Sequence, residues 1–122
     1  SPPCKWAGVY WQEPPNNWGT DEFWKGAGYD LSGYTRLVFW ARAETNGSVE
    51  YKVGGIIGPY GDSLEYPRMI LAQLNQEWQE FEIDLRDANL THIIGGFVWS
   101  ANQQANPEGI IFYLDDIRFE RE

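Results

Sequence analysis

The sequence contains one cysteine and one histidine, Cys4 and His92. A single cysteine cannot form a disulfide bond within the chain, and we expect Cys4 to be a free thiol. Structural zinc sites draw on four cysteine or histidine ligands, and this chain lacks a second residue of either type. The sequence therefore excludes such a zinc site and a disulfide bond within these 122 residues, and a partner for Cys4 upstream is the alternative to a free thiol.

Basic residues are also scarce. Nine Lys and Arg stand against eighteen Asp and Glu, which gives a formal net charge of −9. Nucleic acids and anionic membrane surfaces select basic surfaces, so the charge argues against both as partners. No apolar run approaches the length of a membrane span. A neutral partner fits this charge, and carboxylates are good acceptors for the hydroxyl groups of a sugar.

Aromatic residues are abundant. They make up 16% of 122 residues and include seven Trp and seven Tyr. A chain of this length suits one domain spanning residues 1–122, with a core that needs no metal or disulfide. That core is too small to use so many Trp side chains, so we expect several of them on a functional surface.

Seven short runs have strand character, and no segment has helical periodicity. The runs are separated by Gly, Pro and Asn, which is typical of an all-β, antiparallel two-sheet β-sandwich of the jelly-roll type. The predicted strands cover residues 5–12, 35–43, 49–53, 69–74, 78–85, 95–101 and 110–119. Jelly-roll topology places the first, third, fourth and sixth of them in one sheet and the other three in the second.

Two local features refine this prediction. Asn46 and Gly47 both tolerate positive φ, and together they predict a hairpin turn. In the last strand the inward positions change from even to odd at Asp115 and Asp116, which predicts a β-bulge.

Alternation within the strands also sorts the large side chains. It places Trp11, Phe39, Phe97 and Trp99 in the core. Trp40 is expected to point outward from the second sheet.

A polysaccharide site needs planar side chains in a row with polar side chains beside them. On the first sheet, alternation turns Tyr10 and Gln12 outward, and polar residues of the neighbouring strands with them. Aromatic residues of two long loops, residues 13–29 and 54–67, flank this sheet. The predicted ring-stacking residues are Tyr10, Trp18, Trp24, Tyr60 and Tyr66, and the predicted hydroxyl-binding residues are Gln12, Glu50, Lys52 and Gln73. The alternative for each loop aromatic is that it covers an end of the sandwich.

Other acidic residues allow two further interpretations. Asp115 and Asp116, at the predicted bulge, could supply oxygen ligands to calcium, or could hydrogen-bond the irregular backbone. Glu82 and Asp84 share one strand face, as the two carboxylates of a retaining glycosidase would. Residues 82–87 (EIDLRD) resemble the E-I-D-x-x-E signature of jelly-roll β-glucanases, with Asp87 in place of the final Glu. Alternating acids on a solvated strand are the simpler reading.

The ordered combination of several motifs resembles the bacterial carbohydrate-binding modules of plant cell-wall-degrading enzymes. The motifs are residues 6–12 (WAGVYWQ), 15–19 (PNNWG), 30–34 (DLSGY), 39–42 (FWAR) and 112–117 (FYLDDI). The resemblance runs along nearly the whole chain. It implies a galactose-binding-like jelly roll without catalysis, with one glycan chain bound on one sheet. It also implies a structural calcium ion at Asp116 and Asp115.

These observations lead to one expected function and two rivals. We expect a non-catalytic module that binds a β-glucan chain, either β-1,4-glucan, xyloglucan or mixed-linkage glucan. It would belong to a secreted, multidomain glycoside hydrolase and act as an extracellular monomer. One rival is a small glucanase that uses Glu82 and Asp84. The other is a structural or protein-docking β-sandwich.

Overall fold

The computed structural model describes residues 6–14, 16–64 and 66–121, without the side chain of Trp6. It contains seven strands: β1 (Trp6–Gln12), β2 (Arg36–Ala43), β3 (Gly47–Val53), β4 (Arg68–Leu74), β5 (Gln79–Asp84), β6 (Gly95–Asn102) and β7 (Phe112–Glu120). All seven predicted strands are confirmed. The predicted strand start at Lys5 and the predicted free thiol of Cys4 lie outside the described residues.

The strands form two antiparallel sheets. One has four strands in the order β1-β6-β3-β4, and the other has three in the order β5-β2-β7. This division is the one that the sequence predicts, and the all-β sandwich is confirmed. We call the side of the first sheet that points away from the core the four-strand face, and the corresponding side of the second sheet the three-strand face.

Among the described residues, helical structure is limited to a single 3₁₀ turn, Glu22–Trp24, in the loop after β1. Asp21 caps this turn, because its carboxylate accepts a hydrogen bond of 2.9 Å from the backbone N–H of Phe23. Over the described ranges, no helix has the length and apolar character that crossing a membrane requires.

Aromatic rings from both sheets meet at the centre of the sandwich. Phe39 of β2 lies 4.5 Å from the ring of Tyr51 in β3 and 5.4 Å from that of Phe97 in β6, measured between ring centroids. Phe39 and Tyr51 are completely buried. Burying rings of this size is the largest hydrophobic contribution that single residues make to a core. The predicted inward positions of Phe39 and Phe97 are confirmed.

The core is less well covered beside β1, which is an edge strand of its sheet. Trp11 packs on Phe97 from the inner side, with 5.2 Å between ring centroids, yet 49% of it stays exposed. Val9 is 40% exposed for the same reason. The prediction that Trp11 is a core residue is therefore only half right. Trp99, one strand further in, is partly buried and packs against the core as predicted.

The predicted hairpin at Asn46 and Gly47 is wrong. β2 and β3 lie in different sheets, so the chain crosses between sheets here and does not fold back on itself. Neither residue has a positive φ. Gly47 is needed for close packing instead, since a Cβ atom there would lie 2.6 Å from Oδ1 of Asn106.

The predicted β-bulge in the last strand is confirmed. Trp40 lies opposite Asp115 and Val38 lies opposite Arg118, so two residues of β7 face the single position between them on β2. Asp116, inside the bulge, has a φ of 52°. A left-handed backbone of this kind is tolerated by Asp better than by most residues.

Replacing Gly47 tests whether its close approach to Asn106 requires glycine. The added methyl group of Gly47→Ala would press on Asn106, whose amide is held by Ser48 N at 2.9 Å and Ser48 O at 2.8 Å. Overpacking of this kind is expected to lower the free energy of unfolding by about 1–3 kcal/mol. Urea denaturation measures it. Gly96→Ala is the control, because its added Cβ finds its nearest neighbour, a ring atom of Phe119, only at 4.0 Å. Equal stability of the two variants would contradict the assignment.

Candidate functional site

The four-strand face combines an aromatic end with a polar middle. Strand register brings Tyr10 of β1 opposite Val98 of β6, and Val98 opposite Lys52 of β3. The next row places Ser100 of β6 opposite Glu50 of β3. Predicted binding residues from separate strands thus share one surface. Val98 is completely buried although it lies on this face, so the side chains around it form a continuous layer.

The aromatic end of this face is a pair of rings. Tyr10 is part of β1, and Trp18 comes from the loop that follows it. Their ring centroids are 5.2 Å apart and their planes are inclined by 57°. Trp18 remains 49% exposed. The structure thus brings two of the predicted ring-stacking residues into contact, and an exposed ring held by another ring forms a fixed apolar surface.

The polar middle of the face contains a depression of about 180 Å³. Its lining includes Ser48 and Glu50 of β3, Ser100 and Asn102 of β6, and Leu71 of β4. These side chains supply hydroxyl, carboxylate and amide groups, which can bond to ligand hydroxyls from several directions.

Gln73 and Lys52, two of the predicted hydroxyl-binding residues, border this depression because each contacts a side chain that lines it. The hydroxyl of Ser48 donates to Oε1 of Gln73 over 2.8 Å. The ammonium group of Lys52 lies 3.3 Å from a carboxylate oxygen of Glu50. Glu50 and Lys52 balance each other's charge, so the middle of the face is polar without strong net charge.

Gln12 has a structural role that the sequence did not indicate. Its amide nitrogen donates to the carbonyl of Asn17 over 2.9 Å, and its amide oxygen accepts from the backbone N–H of Asn16 over 3.0 Å. The side chain therefore holds the loop that carries Trp18. Sugar binding by Gln12 stays a prediction, and it would have to use the hydrogen-bonding capacity that these two bonds leave.

Asn17 fixes the same loop from inside. Only 1% of it is exposed, and its amide bonds to Glu13 O at 2.9 Å and to Gly19 N at 3.0 Å. Gly19 then bonds to the second long loop, because its carbonyl accepts from Tyr60 N over 2.8 Å. A Cβ on Gly19 would lie 2.7 Å from the Cα of Gly61, so only glycine fits this contact. Trp18 and Tyr60 are thereby placed on adjoining loops.

The remaining loop aromatics are distributed differently. The ring of Tyr60 lies 6.0 Å from the ammonium group of Lys25. Trp24 packs edge-on against Phe23, with 4.7 Å between centroids. Tyr66 is 85% exposed just before β4. The structure thus brings Tyr60 close to Trp18, whereas the described contacts of Trp24 and Tyr66 do not join them to the pair of Tyr10 and Trp18.

A buried carboxylate ties the loops together at this end of the sandwich. Asp62 is 5% exposed, and its oxygens accept backbone hydrogen bonds from Ile56, at 3.0 Å, and from Ile94. Burial raises the pKa of Asp62, and these hydrogen bonds oppose the shift only in part. The nearby His92 ring contacts the carbonyl oxygens of Gly61 and Ala27. Three loops therefore meet at one polar anchor formed by Asp62 and His92.

Both carboxylates of the predicted calcium site already have partners. The carboxylate of Asp116 forms an ion pair of 2.6 Å with Arg118, and that of Asp115 accepts the backbone N–H of Asp116 over 2.8 Å. In the ranges that the structure describes, three or more His, Cys, Asp or Glu side chains do not converge at any point. Calcium binding by Asp115 and Asp116 stays a prediction, and it would need further oxygen ligands, because a calcium shell takes six to eight.

Glu82 and Asp84, the carboxylates of the rival glucanase hypothesis, lie on the three-strand face. Asp84 forms an ion pair of 2.8 Å with Arg86. Hydrogen bonds from Arg86 hold the pKa of Asp84 well below its usual range. A carboxyl group with a lowered pKa is a poor proton donor at neutral pH.

A larger cavity, of about 390 Å³, lies at the opposite end of the sandwich from the long loops. Trp99, Ile110 and Phe112 contribute much of its lining, together with Asn106. The amide of Asn106 already bonds to the backbone of Ser48 on both its nitrogen and its oxygen. The cavity is therefore mainly apolar, and we place the candidate site on the four-strand face, where aromatic and polar groups adjoin.

Sequence reasoning missed several residues of this site. Ser48, Ser100 and Asn102 have the same outward parity as the predicted Glu50 and Lys52, so alternation could have found them. Lys25 carries no such signal, because its position beside Tyr60 depends on contacts between loops.

No family model, no curated protein and no solved structure matches this chain.

Removing the anchor should test whether Asp62 holds the loops. In Asp62→Ala the buried N–H groups of Ile56 and Ile94 lose their acceptor, and we expect a loss of about 3 kcal/mol in the free energy of unfolding. The raised pKa adds a pH signature. The folded state binds the Asp62 proton more tightly than the unfolded chain, so this contribution to stability is present at low pH and is lost as the pH rises through the raised pKa.

The difference in unfolding free energy between the wild type and Asp62→Ala is therefore expected to be larger at about pH 4 than at about pH 7. Denaturation curves at both values measure it. Glu108→Ala, which removes an exposed carboxylate, is the control. If this difference in unfolding free energy grew with pH, the raised pKa of Asp62 would be contradicted.

Proposed function

We propose that this protein is a non-catalytic carbohydrate-binding module whose four-strand face binds a β-glucan chain. The observation that carries the proposal is the adjacency of the ring pair Tyr10 and Trp18 to a polar depression on the same face. Sugar rings offer flat C–H patches to aromatic side chains and hydroxyl groups to polar ones. This face presents both kinds of partner side by side.

The roles follow from position. Tyr10 and Trp18 stack on a sugar ring, and Tyr60 extends the apolar surface on the adjoining loop. Glu50 and Lys52 bond to hydroxyls of the next ring. Ser48, Ser100 and Asn102 line the depression that receives it, with Gln73 bonded to Ser48. The protein has a net charge of −9 and would repel an acidic polymer, because like charges repel. A neutral polymer is therefore the better ligand.

Preorganisation strengthens this proposal. The loop that bears Trp18 is fixed by Gln12, Asn17 and Gly19 before any ligand arrives. A surface that is already ordered loses less conformational entropy on binding, and more of the contact energy appears as affinity. In the biological setting we propose, the module belongs to a secreted glycoside hydrolase and raises the effective concentration of that enzyme on its polymer.

Substituting the ring pair tests the binding site. Trp18→Ala and Tyr10→Ala are each expected to weaken binding by the four-strand face to mixed-linkage β-glucan or xyloglucan at least about tenfold, equivalent to 1.4 kcal/mol. Affinity gel electrophoresis with the polysaccharide in the gel gives the dissociation constant. Ile111→Ala removes an exposed apolar side chain just before β7 and is expected to migrate like the wild type. Equal retardation of all variants would place binding elsewhere.

A second test separates the proposal from the rival glucanase. The protein is expected to release no reducing sugar from β-glucan or xyloglucan, since the carboxylate of Asp84 is already held in an ion pair with Arg86. Glu82→Gln should leave both this result and the binding affinity unchanged. Release of reducing ends by the wild type that disappears in Glu82→Gln would establish catalysis instead.

A further inference from the structure

The three-strand face contains a row of aromatic side chains with an arginine in the middle. Arg42 of β2 lies opposite Tyr113 of β7, and Trp78 immediately precedes β5. The guanidinium carbon of Arg42 is 4.9 Å from the ring centroid of Tyr113 and 5.9 Å from that of Trp78. Tyr113 is 41% exposed and Trp78 is 45% exposed. Both rings therefore offer surface to a ligand while they pack against Arg42.

Hydrogen bonds keep this row in place. Arg42 donates to the backbone carbonyl of Gln76 over 3.1 Å, and its guanidinium lies 3.7 Å from the carboxylate of Glu44. The hydroxyl of Tyr113 donates to the same carboxylate over 2.5 Å, and this bond raises the pKa of Tyr113. Side chains that hydrogen bonds already hold in place lose little conformational entropy when a ligand binds.

The next row of the same face adds a third ring. Trp40 lies between Glu80 of β5 and Asp115 of β7, and 36% of it is exposed. It is two residues from Arg42 along β2, a distance of about 6.6 Å in a strand. Three exposed rings thus occupy two neighbouring rows, with carboxylates directly beside one of them.

The charges around the rings select among ligand classes. The face carries more carboxylates than guanidinium groups, which disfavours an anionic partner. Its acids are Glu80, Glu82, Asp84, Asp115, Asp116 and Glu120, and its bases are Arg36, Arg42 and Arg118. A cationic ligand would be attracted to free aromatic faces, but Arg42 already holds the position between Tyr113 and Trp78.

A protein partner fits the face poorly as well. The centres of protein interfaces are depleted in charged residues. Here Arg42 stands in the middle of the aromatic row, and Trp40 has an acidic residue on each side. A partner that is neutral, has flat apolar patches and donates many hydrogen bonds suits rings interleaved with carboxylates. A polyhydroxylated sugar chain has these properties.

We propose that the three-strand face is a second glycan-binding surface, on which Trp78, Tyr113 and Trp40 stack on sugar rings and Glu80 and Asp115 accept their hydroxyls. The two faces point in opposite directions from one sandwich. One molecule therefore binds two chains of a neutral polysaccharide and bridges them. This surface is assigned from its own residues, so it does not depend on binding by the four-strand face.

Stoichiometry tests this proposal. Isothermal titration of the wild type with a β-1,4-glucan hexasaccharide is expected to give two sites per chain. The double variant Trp40→Ala/Trp78→Ala should retain one site, and Tyr10→Ala/Trp18→Ala should retain the other. Phe23→Ala, which removes a ring that is 79% exposed in a loop, serves as the control and should keep both sites. Circular dichroism and thermal melting establish that each variant is folded.

A footprint of the wild-type protein tests the second surface without any substitution. Hydroxyl-radical labelling read by mass spectrometry should show lower oxidation of Trp40 and Trp78 when the hexasaccharide is bound. With soluble mixed-linkage glucan, the wild type should raise light scattering by bridging chains, and either double variant should abolish the rise.

The outcomes distinguish the two surfaces. One site per chain, lost in Tyr10→Ala/Trp18→Ala and unaffected by Trp40→Ala/Trp78→Ala, would overturn the second surface and leave the proposed function intact. A site that survives Tyr10→Ala/Trp18→Ala and disappears in Trp40→Ala/Trp78→Ala would support it, even if the four-strand face proved inactive. Unchanged oxidation of Trp40 and Trp78 at saturating hexasaccharide would also overturn it.

Discussion

The packing of Phe39 against Tyr51 and Phe97 is the contact on which the rest of the structure depends. These three rings come from β2, β3 and β6, so the contact joins the two sheets at their centre. Once their inward positions are fixed, alternation fixes the outward residues of the same strands. Glu50 and Lys52 face away from the core because Tyr51 between them faces into it. Trp40 is turned outward by Phe39 in the same way.

The loops then determine how the outward surface is used. Strands alone place Tyr10 at one end of the four-strand face, but the exposed ring beside it comes from a loop. That loop needs internal anchors, and Asn17 and Asp62 provide them by taking up backbone groups that would otherwise be buried without partners. The same sandwich therefore offers two surfaces of different origin. One depends on fixed loops, and the other, around Arg42, rests mainly on strands.

The parts of this structure that follow strand alternation could be predicted from the sequence, and those set by non-local contacts could not. The strands, their division between sheets and the bulge at Asp115 and Asp116 were predicted correctly. The exposure of Trp11 was missed because it depends on β1 having a neighbour on one side only. Asn46 and Gly47 have hairpin chemistry, but the partner that each flanking strand chooses decides whether a hairpin forms. The bonds of the Gln12 amide to Asn16 and Asn17 were not predicted, because they depend on how the loop after β1 folds back.

The central claim is that a β-glucan chain binds across the four-strand face. Mapping backbone amide chemical shifts during titration with a β-1,4-glucan hexasaccharide tests it most directly, because the map reports on every strand of the unaltered protein. The account predicts a connected set of shifted amides around Tyr10, Trp18, Lys52 and Ser100, growing with ligand concentration to saturation. An absence of shifts with this oligosaccharide and with xyloglucan or mixed-linkage fragments would contradict it. So would saturable shifts that leave this face unchanged.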